Sequence, residues 1–450
     1  MQTAAAHASM YQPASFDMQA GDWIYRGEGN ANILFAYAGK GSELRGQLLR
    51  LTKRDVPQNT DINADDSDTD DSSLNKEQER LSLQAHNNVV FTKEVIGPLI
   101  GVDYILQHQL VHLSRNFIEQ LSLAAEPLRP SSRTHRQIDP KQRVGALVRD
   151  MINVLGSTPK QPGEHTIAIE IKPKWGFVPS SKYISQANSV KHRVCRHCMH
   201  QYLKHDKDSM SEYCPIDLFS TNCTRVKHAV DCLFDVSNDR LRVFVDGTHI
   251  PGDENGGIDV AKVPHSQQLK QTIANIILAE KLLPRLGSVQ NRLDAFDIEG
   301  LFPRYKRALE AGVLTEKEPS IDDWLGAVAR FRQREEQGGS NVNAPDVDDK
   351  QAALEFMISV TLKDVSVLIR IESWPSVSKL ESESESAEGD SSDAKLPEYH
   401  IAVIDADAKK LAKVPKYLKN DQEIVDRYLK INPNVAQQKS CCEQQDEKDI

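Results

Sequence analysis

The chain of 450 residues is 39% apolar and 27% charged, ordinary for a soluble globular protein and long enough for two or more lobes with real cores. No window approaches the roughly 18 to 20 apolar residues of a membrane span, and residues 1–21 lack the basic region and apolar run of a secretory signal. The net charge of −10 is unevenly placed: residues 61–71 and 381–393 each hold six acids and no base, so with these at −12 the remaining chain carries +2. A slightly basic body with two acidic inserts can bind an anion well. Seven cysteines, an odd count in a chain without an export signal, favour reduced thiols or a metal site over a disulfide framework.

Residues 1–21 are expected to be flexible. Residues 22–53 read as two strands joined by a turn, from an aromatic start at Trp23 and Tyr25 to apolar runs at 33–38 and 48–51. The polar, acidic stretch 55–82 predicts a disordered insert. Residues 90–123 have helical spacing, with Ile96, Leu99, Ile100, Ile118 and Leu121 recurring at three and four. Residues 166–172 alternate, with Ile167, Ile169 and Ile171 facing one way and Glu170 and Lys172 the other, which predicts a half-buried strand stopped by Pro173. Residues 267–283, closed by Pro284, and 345–354 read as helices. Residues 365–371 and 399–405 read as a strand pair separated by a second acidic, disordered insert at 376–396. The tail, 434–450, is polar and expected to fray. The sum is a mixed α+β fold, with a strand-rich portion at 22–148 and a larger mixed portion at 149–433.

Three local patterns carry chemistry. In Arg26-Gly27-Glu28-Gly29-Asn30-Ala31-Asn32 the glycines let backbone N–H groups approach a polyphosphate, although the same pair also suits a plain hairpin turn. Arg50, on the next strand, is either a cation for nucleotide phosphates or a solvated strand residue. In Glu170-Ile171-Lys172-Pro173-Lys174-Trp175-Gly176-Phe177, period-two geometry puts Glu170, Lys172 and then Lys174 on a common side of a strand leaving the core, either two ammonium groups at a spacing that suits an anion or a solvated charged strand face. If residues 200–204 are helical, His200 and Lys204 share a face at i, i+4, as they also would on an ordinary surface helix.

The run 170–177, with Cys198-Met199-His200-Gln201 and Tyr213-Cys214-Pro215-Ile216-Asp217-Leu218-Phe219-Ser220, resembles the signature of the inositol-pentakisphosphate 2-kinases. The resemblance continues at 22–32, at Asp297-Ile298-Glu299-Gly300, at Lys363-Asp364-Val365-Ser366 and at Ile404-Asp405, and so spans residue 22 to about residue 421. It implies a two-lobed α+β fold, with a protein-kinase-like N-terminal lobe and an enlarged C-terminal lobe that binds inositol phosphate. It also implies transfer of the ATP γ-phosphate to the 2-hydroxyl of inositol 1,3,4,5,6-pentakisphosphate, with Mg²⁺, by a monomer of the nucleus or cytoplasm that binds no nucleic acid.

On this resemblance Gly27, Glu28, Gly29, Asn30, Asn32, Arg50, Arg149, Asp150, Met151, Glu170 and Arg242 face the nucleotide. Arg133, Lys172, Lys174, His200, Lys204, Lys409, Lys413 and Tyr417 face the substrate. Asp364 accepts the hydroxyl proton and Asp405 binds Mg²⁺, the division that phosphoryl transfer needs. Asp364 precedes one apolar strand and Asp405 ends another, so both can emerge at one rim. The family's paired asparagines before the strand at 241–244 are here Asp239-Arg240. Five phosphates at −1.5 to −2 carry about −7.5 to −10, and Arg133, Lys172, Lys174, Lys204, Lys409 and Lys413 supply cations to hold them.

His192, Cys195, Cys198 and Cys214 offer the four soft ligands of a structural zinc, or else buried free thiols. Two further readings stay open: an inositol-phosphate-binding scaffold with little activity, and a zinc-containing nucleic-acid binder.

Overall fold

In the computed structural model the described residues are 12–55, 71–153, 163–204, 210–235, 240–253, 257–315, 317–338, 345–375, 396–434 and 440–441. The chain divides into two compact units, Met1–Val90 with Leu106–Pro159 and Phe91–Ile105 with Lys160–Ile450. Residues 91–105 therefore belong to the second unit rather than to a continuous first lobe.

The first unit comprises β1 (Trp23–Glu28), β2 (Asn32–Tyr37), β3 (Gln47–Asp55), α1 (Asp71–Val90), β4 (His108–His112), α2 (Arg115–Ala125), β5 (Arg136–Ile138) and β6 (Val144–Arg149). The strands form one antiparallel sheet in the order β1-β2-β3-β6-β4, with β5 pairing β3. Alternate residues send Ile33, Phe35, Leu49, Leu51, Val111 and Leu147 to one face, where they bury with Phe117, Ile118 and Leu121 of α2. The Ser114 hydroxyl starts α2 by accepting from Phe117 N at 3.1 Å.

Four expectations change here. The aromatic start is a strand of its own, β1. The helical reading of 90–123 is broken by β4, whose Leu110 and Val111 are both buried on opposite faces of the sheet, so period two wins there. Residues 71–82, expected to be disordered, lie in α1: Leu81, Ala85 and Val89, at i, i+4 and i+8, are buried, the last two against Leu110, Val144 and Ala146. Residues 56–70 lie outside the described residues. Of the expected flexible N-terminus, 1–11 likewise lie outside, but Ala14 pairs with β4, its N–H on Leu110 O at 2.8 Å and its carbonyl on His112 N at 2.9 Å.

The second unit comprises β7 (Glu164–Ile171), α3 (Arg196–Lys204), α4 (Cys223–Asp235), β8 (Leu241–Val245), β9 (Thr248–His249), α5 (Ser266–Glu280), α6 (Leu282–Leu293), α7 (Asp297–Glu310), α8 (Ile321–Glu336), α9 (Asp349–Leu362), β10 (Ser366–Pro375), β11 (Tyr399–Ile404) and α10 (Val414–Ile431). Its antiparallel sheet runs β11-β10-β7-β8-β9. Because β7 is the middle strand, residues 166–171 are all buried, Glu170 included at 7% exposure, and the expected half-exposed face does not exist.

Pro284 opens α6 rather than closing α5. The break is Lys281, at φ 54°, and proline is tolerated in a first turn. α9 starts at its Asp348 cap, which accepts from Gln351 N at 2.7 Å, and runs on to Leu362. The pair β10–β11 forms as expected, while 376–395 lie outside the described residues. The tail is not wholly frayed: Cys441 is buried, and its N–H donates to Arg193 O at 2.8 Å.

The register fixes what stands at one edge of this sheet. Ile171, the end of β7, pairs with Leu241, the start of β8, and with Val367 near the start of β10; Ser366 pairs with Ile404, the end of β11. Lys172, Arg240, Asp364 and Asp405, each one or two residues beyond, therefore leave the sheet at the same rim.

Candidate functional site

A cavity of about 490 Å³ opens at that rim, within the range of small-molecule sites. From the sheet edge come Lys172, Lys174, Arg240 and Asp364; from α3, Arg196, His197, His200 and Lys204; from the segment leading into α10, Lys409 and Lys413; and from the first turns of α10, Tyr417. Trp175 and Lys363 lie at its base. Eight lysines and arginines line it against four aspartates, Asp294, Asp297, Asp364 and Asp421.

Three of those acids are already committed to buried lysines. Lys191 meets Asp297 at 2.6 Å, Asp421 at 2.8 Å and Glu299 at 3.1 Å, and Lys363 meets Asp294 at 2.5 Å beneath the ring of Trp175. Burial pushes Asp297 up to about 6, with Lys191 opposing that rise. Asp364 alone among the four is exposed, with its oxygens 3.2 Å from Lys174 Nζ and 2.7 Å from Lys409 Nζ. Burial works to raise its pKa, but Lys409 and then Lys174 hold it below the usual carboxylate value. Burial, and then Arg196 and Lys204, push His200 down to about 4, so its imidazole is neutral at neutral pH.

The odd run at 173–177 has a packing reason. A Cβ on Gly176 would lie 2.0 Å from the ring of Phe219, so only glycine lets the chain pass. Gln290 of α6, fully buried, then ties the loop down: its Oε1 accepts from Gly176 N at 2.8 Å, and its Nε2 donates to Lys174 O at 3.1 Å and Leu362 O at 2.9 Å. One amide thus positions both Lys174 and the turn that carries Asp364. Lys174 and Asp405 have left-handed backbones, φ 65° and 62°, a strain of about 1–3 kcal/mol each of the kind kept at functional sites. Asp405 is exposed just after β11, with Asp407 two residues on.

Tyr417 and Lys413 flank the start of α10. Pro415 opens this helix from its first turn, so Lys409 and Lys413 do not share a helical face; they meet in the cavity nonetheless. Glu170 accepts from Ser366 Oγ at 2.9 Å and lies 3.4 Å from Arg242, its cross-strand partner. Sequence reasoning missed Arg196, Lys363 and Gln290, and noted Asp239-Arg240 only as a departure from the family's paired asparagines. Arg240 instead adds a cation to the cavity; Asp239 lies outside the described residues.

In the first unit, Gly27 and Gly29 stand in the β1–β2 hairpin, with a register shift between Tyr25 and Gly27 and Gly29 N donating to Asn32 O at 2.9 Å. A Cβ on either glycine would meet nothing within 4 Å, so packing does not demand them. The Glu28 side chain is not open to a ligand: it is buried and paired with Lys53 and, bidentate at 2.8 Å, with Arg129. Arg133 donates to Asn30 Oδ1, Arg50 is half-buried on β3, and Lys53 is the buried cation of this group. β6 ends at exposed Arg149, and buried Asp150 and buried Met151 follow. Asp150 Oδ1 accepts from Ile152 N and Asn153 N at 2.9 Å, and its buried Oδ2 has no hydrogen-bond partner among the described residues.

Cys195, Cys198, Cys214 and Cys441 lie with their Sγ atoms all within 4.8 Å of one another, a group able to hold a metal ion. His192 is not part of it. Its ring Nδ1 lies 3.0 Å from Pro179 O, and the chain after α10 returns to bring Cys441 to the fourth corner instead.

A family model described as inositol-pentakisphosphate 2-kinase matches residues 25–423. The chain is 28% identical over 433 residues to an inositol-pentakisphosphate 2-kinase of Oryza sativa subsp. indica, covering 91% of this chain and 94% of the relative. It is 27% identical over 446 residues to one of Arabidopsis thaliana, covering 92% and 94%. It is 25% identical over 506 residues to one of Danio rerio, again covering 92% and 94%.

Proposed function

The chain belongs to the inositol-pentakisphosphate 2-kinase family, and from that premise we propose that the cavity at the sheet rim takes inositol 1,3,4,5,6-pentakisphosphate and transfers the γ-phosphate of ATP to its 2-hydroxyl. The observation that carries this reading is the surplus of cations around one exposed carboxylate. An acceptor with five phosphates, about −7.5 to −10 in charge, needs such a surplus, and phosphoryl transfer to a hydroxyl needs one group to receive the proton.

Lys172, Lys174, Lys204, Lys409 and Lys413 give the phosphates point charges, Arg196 and Arg240 give directed N–H forks, and neutral His200 gives a hydrogen bond or takes up a proton. The family resemblance assigns Arg133 to the substrate as well. Asp364 accepts the proton. Its two lysine partners keep it a weak base in the free protein, and phosphates arriving beside Lys174 and Lys409 compete for those ammonium groups and raise its basicity where the hydroxyl lies.

The reading includes a protein-kinase-like N-terminal lobe and an enlarged C-terminal lobe. The family resemblance assigns Gly27, Gly29, Asn30, Asn32, Arg50, Arg149, Asp150, Met151, Glu170 and Arg242 to the nucleotide. The open space above the two glycines and the unpartnered Asp150 Oδ2 fit a ligand there; Glu28 acts through Lys53 and Arg129 rather than by touching the nucleotide. Asp405, a hard oxygen donor, suits Mg²⁺, which when bound neutralises phosphate charge during transfer. Zinc suits the soft thiol group, apart from this chemistry.

The test is incubation of the purified protein with Mg-ATP and a panel of inositol phosphates, with separation of the products. The expected result is hexakisphosphate from the 1,3,4,5,6-pentakisphosphate. No product, or phosphate placed elsewhere on less phosphorylated rings alone, overturns the proposal.

A further inference from the structure

Among the described residues, two groups besides the four thiols bring acid, histidine or cysteine side chains close enough together for a metal ion, and their surroundings separate them. In the first, Asp297, Glu299 and Asp421, the centre is taken by the Lys191 ammonium, 2.6–3.1 Å from all three. In the second, Glu212, His228 and Cys232 each bring one ligand atom within 4.8 Å of the others. His228 and Cys232 stand at i, i+4 on α4, so one helix face presents both. Glu212 comes from the segment before Cys214, and no cation pairs with it among the described residues. The spacing suits a metal. Tetrahedral zinc, at about 2.3 Å from sulfur and about 2.0–2.1 Å from nitrogen, separates those two ligands by about 3.6 Å. Cys232 Sγ lies 3.6 Å from His228 Nε2. Cys232 is the buried end of the group, while His228 and Glu212 are exposed, so an ion can enter from solvent. Three more acids surround the thiol, and Lys270 and Arg225 pair with them: Lys270 with Asp231 and Asp235, Arg225 with Asp217. Four carboxylates thus face two bases, and Glu212 keeps its charge for an ion.

We propose that Glu212, His228 and Cys232 form an exchangeable Zn²⁺ site, separate from the four thiols, with water at its fourth position. Thiolate, imidazole and carboxylate are donors that zinc takes, and three protein ligands are the number that leaves one zinc position open. Mg²⁺ is poorly served by the same set, because it demands an octahedron of oxygens. As zinc binds, the Cys232 proton goes to solvent and no electrons move. Burial, and then the charge of Glu212, push that thiol up to about 11, so zinc competes with a proton and the ion exchanges rather than being locked in. Bound zinc would tie α4 to residues 211–213. That short segment is held on its other side by Gln201 of α3, whose Oε1 accepts from Ser211 N at 2.8 Å and whose Nε2 donates to Ser211 O at 3.1 Å. All three ligands lie outside the cavity, and the site needs nothing from the kinase reading.

Calorimetric titration of the full chain with Zn²⁺, in buffer holding excess Mg²⁺, tests the site. The expected result in the wild type is a one-to-one event that His228→Ala and Cys232→Ser each weaken by at least the about 10- to 100-fold that loss of a mere outer-shell partner costs. His228 and Glu212 are exposed, so His228→Ala and Glu212→Ala keep the test open should Cys232→Ser not fold. Loaded with Co²⁺ in place of zinc, the wild type should show more thiolate-to-metal absorption than His228→Ala, although both keep every cysteine. Zinc should also raise the thermal midpoint of the wild type more than that of His228→Ala, because only the folded chain assembles the three ligands. A zinc titration and a cobalt spectrum unchanged in His228→Ala place all the bound metal elsewhere in the chain and overturn the proposal. Abolition of the event by Mg²⁺ overturns the ligand set.

Discussion

Gln290 offers the sharpest test of how the site is built. Gln290→Met keeps the length and most of the volume of the side chain but removes one acceptor and two donors. Three backbone groups would then lose the partner they have: part-buried Gly176 N and Lys174 O and buried Leu362 O, now at 2.8, 3.1 and 2.9 Å. An unsatisfied buried polar group costs about 1–3 kcal/mol, so the three together set an upper range of about 3–9 kcal/mol, of which relaxation and water entry will recover part. Set against a typical total of about 5–15 kcal/mol, a loss of about 3 kcal/mol should be plain in denaturant midpoints of the second unit. The kinetic consequence is separate. Lys174 and Asp364 both hang on this amide, and a misplacement of about 1 Å in a positioned group can cost up to about 10²-fold. At a temperature where the variant is folded, KM for the pentakisphosphate should rise and kcat should fall. A variant within about 0.5 kcal/mol of wild type, the range of an inconsequential surface change, with unaltered KM and kcat, would refute the reasoning.

Asp364→Asn should lower kcat by the about 10²- to 10⁴-fold typical of a lost general base, while Kd for the pentakisphosphate stays similar or tightens, because Lys174 and Lys409 are released to the phosphates; loss of binding in proportion to rate would deny Asp364 that role. Lys174→Ala should do the reverse and weaken binding first, as read by calorimetry beside initial rates. His200, held down to about 4 from the usual 6.5, makes the free protein lose stability as pH falls through that window, because the unfolded chain takes up the proton first. Bound phosphate favours the imidazolium, so binding near pH 6 should take up more protons in wild type than in His200→Gln, measured by calorimetry in buffers of different ionisation enthalpy; equal uptake in the two would exclude His200 from the phosphate contacts.

What was legible in the sequence was what short spacing encodes. The alternation of Ile167, Ile169 and Ile171 set strand β7, and the ammonium pair that follows it emerges at the rim where the sheet ends. His200 and Lys204 share α3 as their spacing of four predicts. The strand pair that carries Asp364 and Asp405 was visible as two apolar runs. Composition misled over 71–82, where sparse apolar residues at i, i+4 and i+8 were enough for a packed helix. The thiol cluster was three-quarters legible: Cys-x2-Cys is a local signal, but no spacing says that Cys441, more than two hundred residues on in a polar tail, stands in it where the nearby His192 does not. Gln290 was invisible for the same reason, since its three partners lie 72 to 116 residues away. Arg196, Arg240 and Lys363 read as ordinary cations until the fold placed them around one cavity.

The convergence of these groups follows from strand parity. In an antiparallel sheet the end of one strand stands beside the start of its neighbour, so the segment leaving β7, the one entering β8, the one entering β10 and the one leaving β11 share a rim although they are scattered from residue 171 to residue 405. Each contributes a charged side chain at the end of the ladder, where Lys172 N still donates to Arg240 O at 2.7 Å. The cost falls on the backbone, for two of these exits, at Lys174 and Asp405, turn through left-handed conformations that non-glycine residues disfavour. Glycine would relieve that strain at either place but would remove the ammonium from one and the carboxylate from the other. The strain is tolerated at Lys174 because its surroundings over-determine the loop: Gln290 holds it from α6, Tyr213 from beside Cys214, and the Phe219 ring leaves Gly176 a single path. The rigidity of the loop that carries Lys174 therefore originates outside the cavity, in the buried Gln290 amide and the Tyr213 hydroxyl.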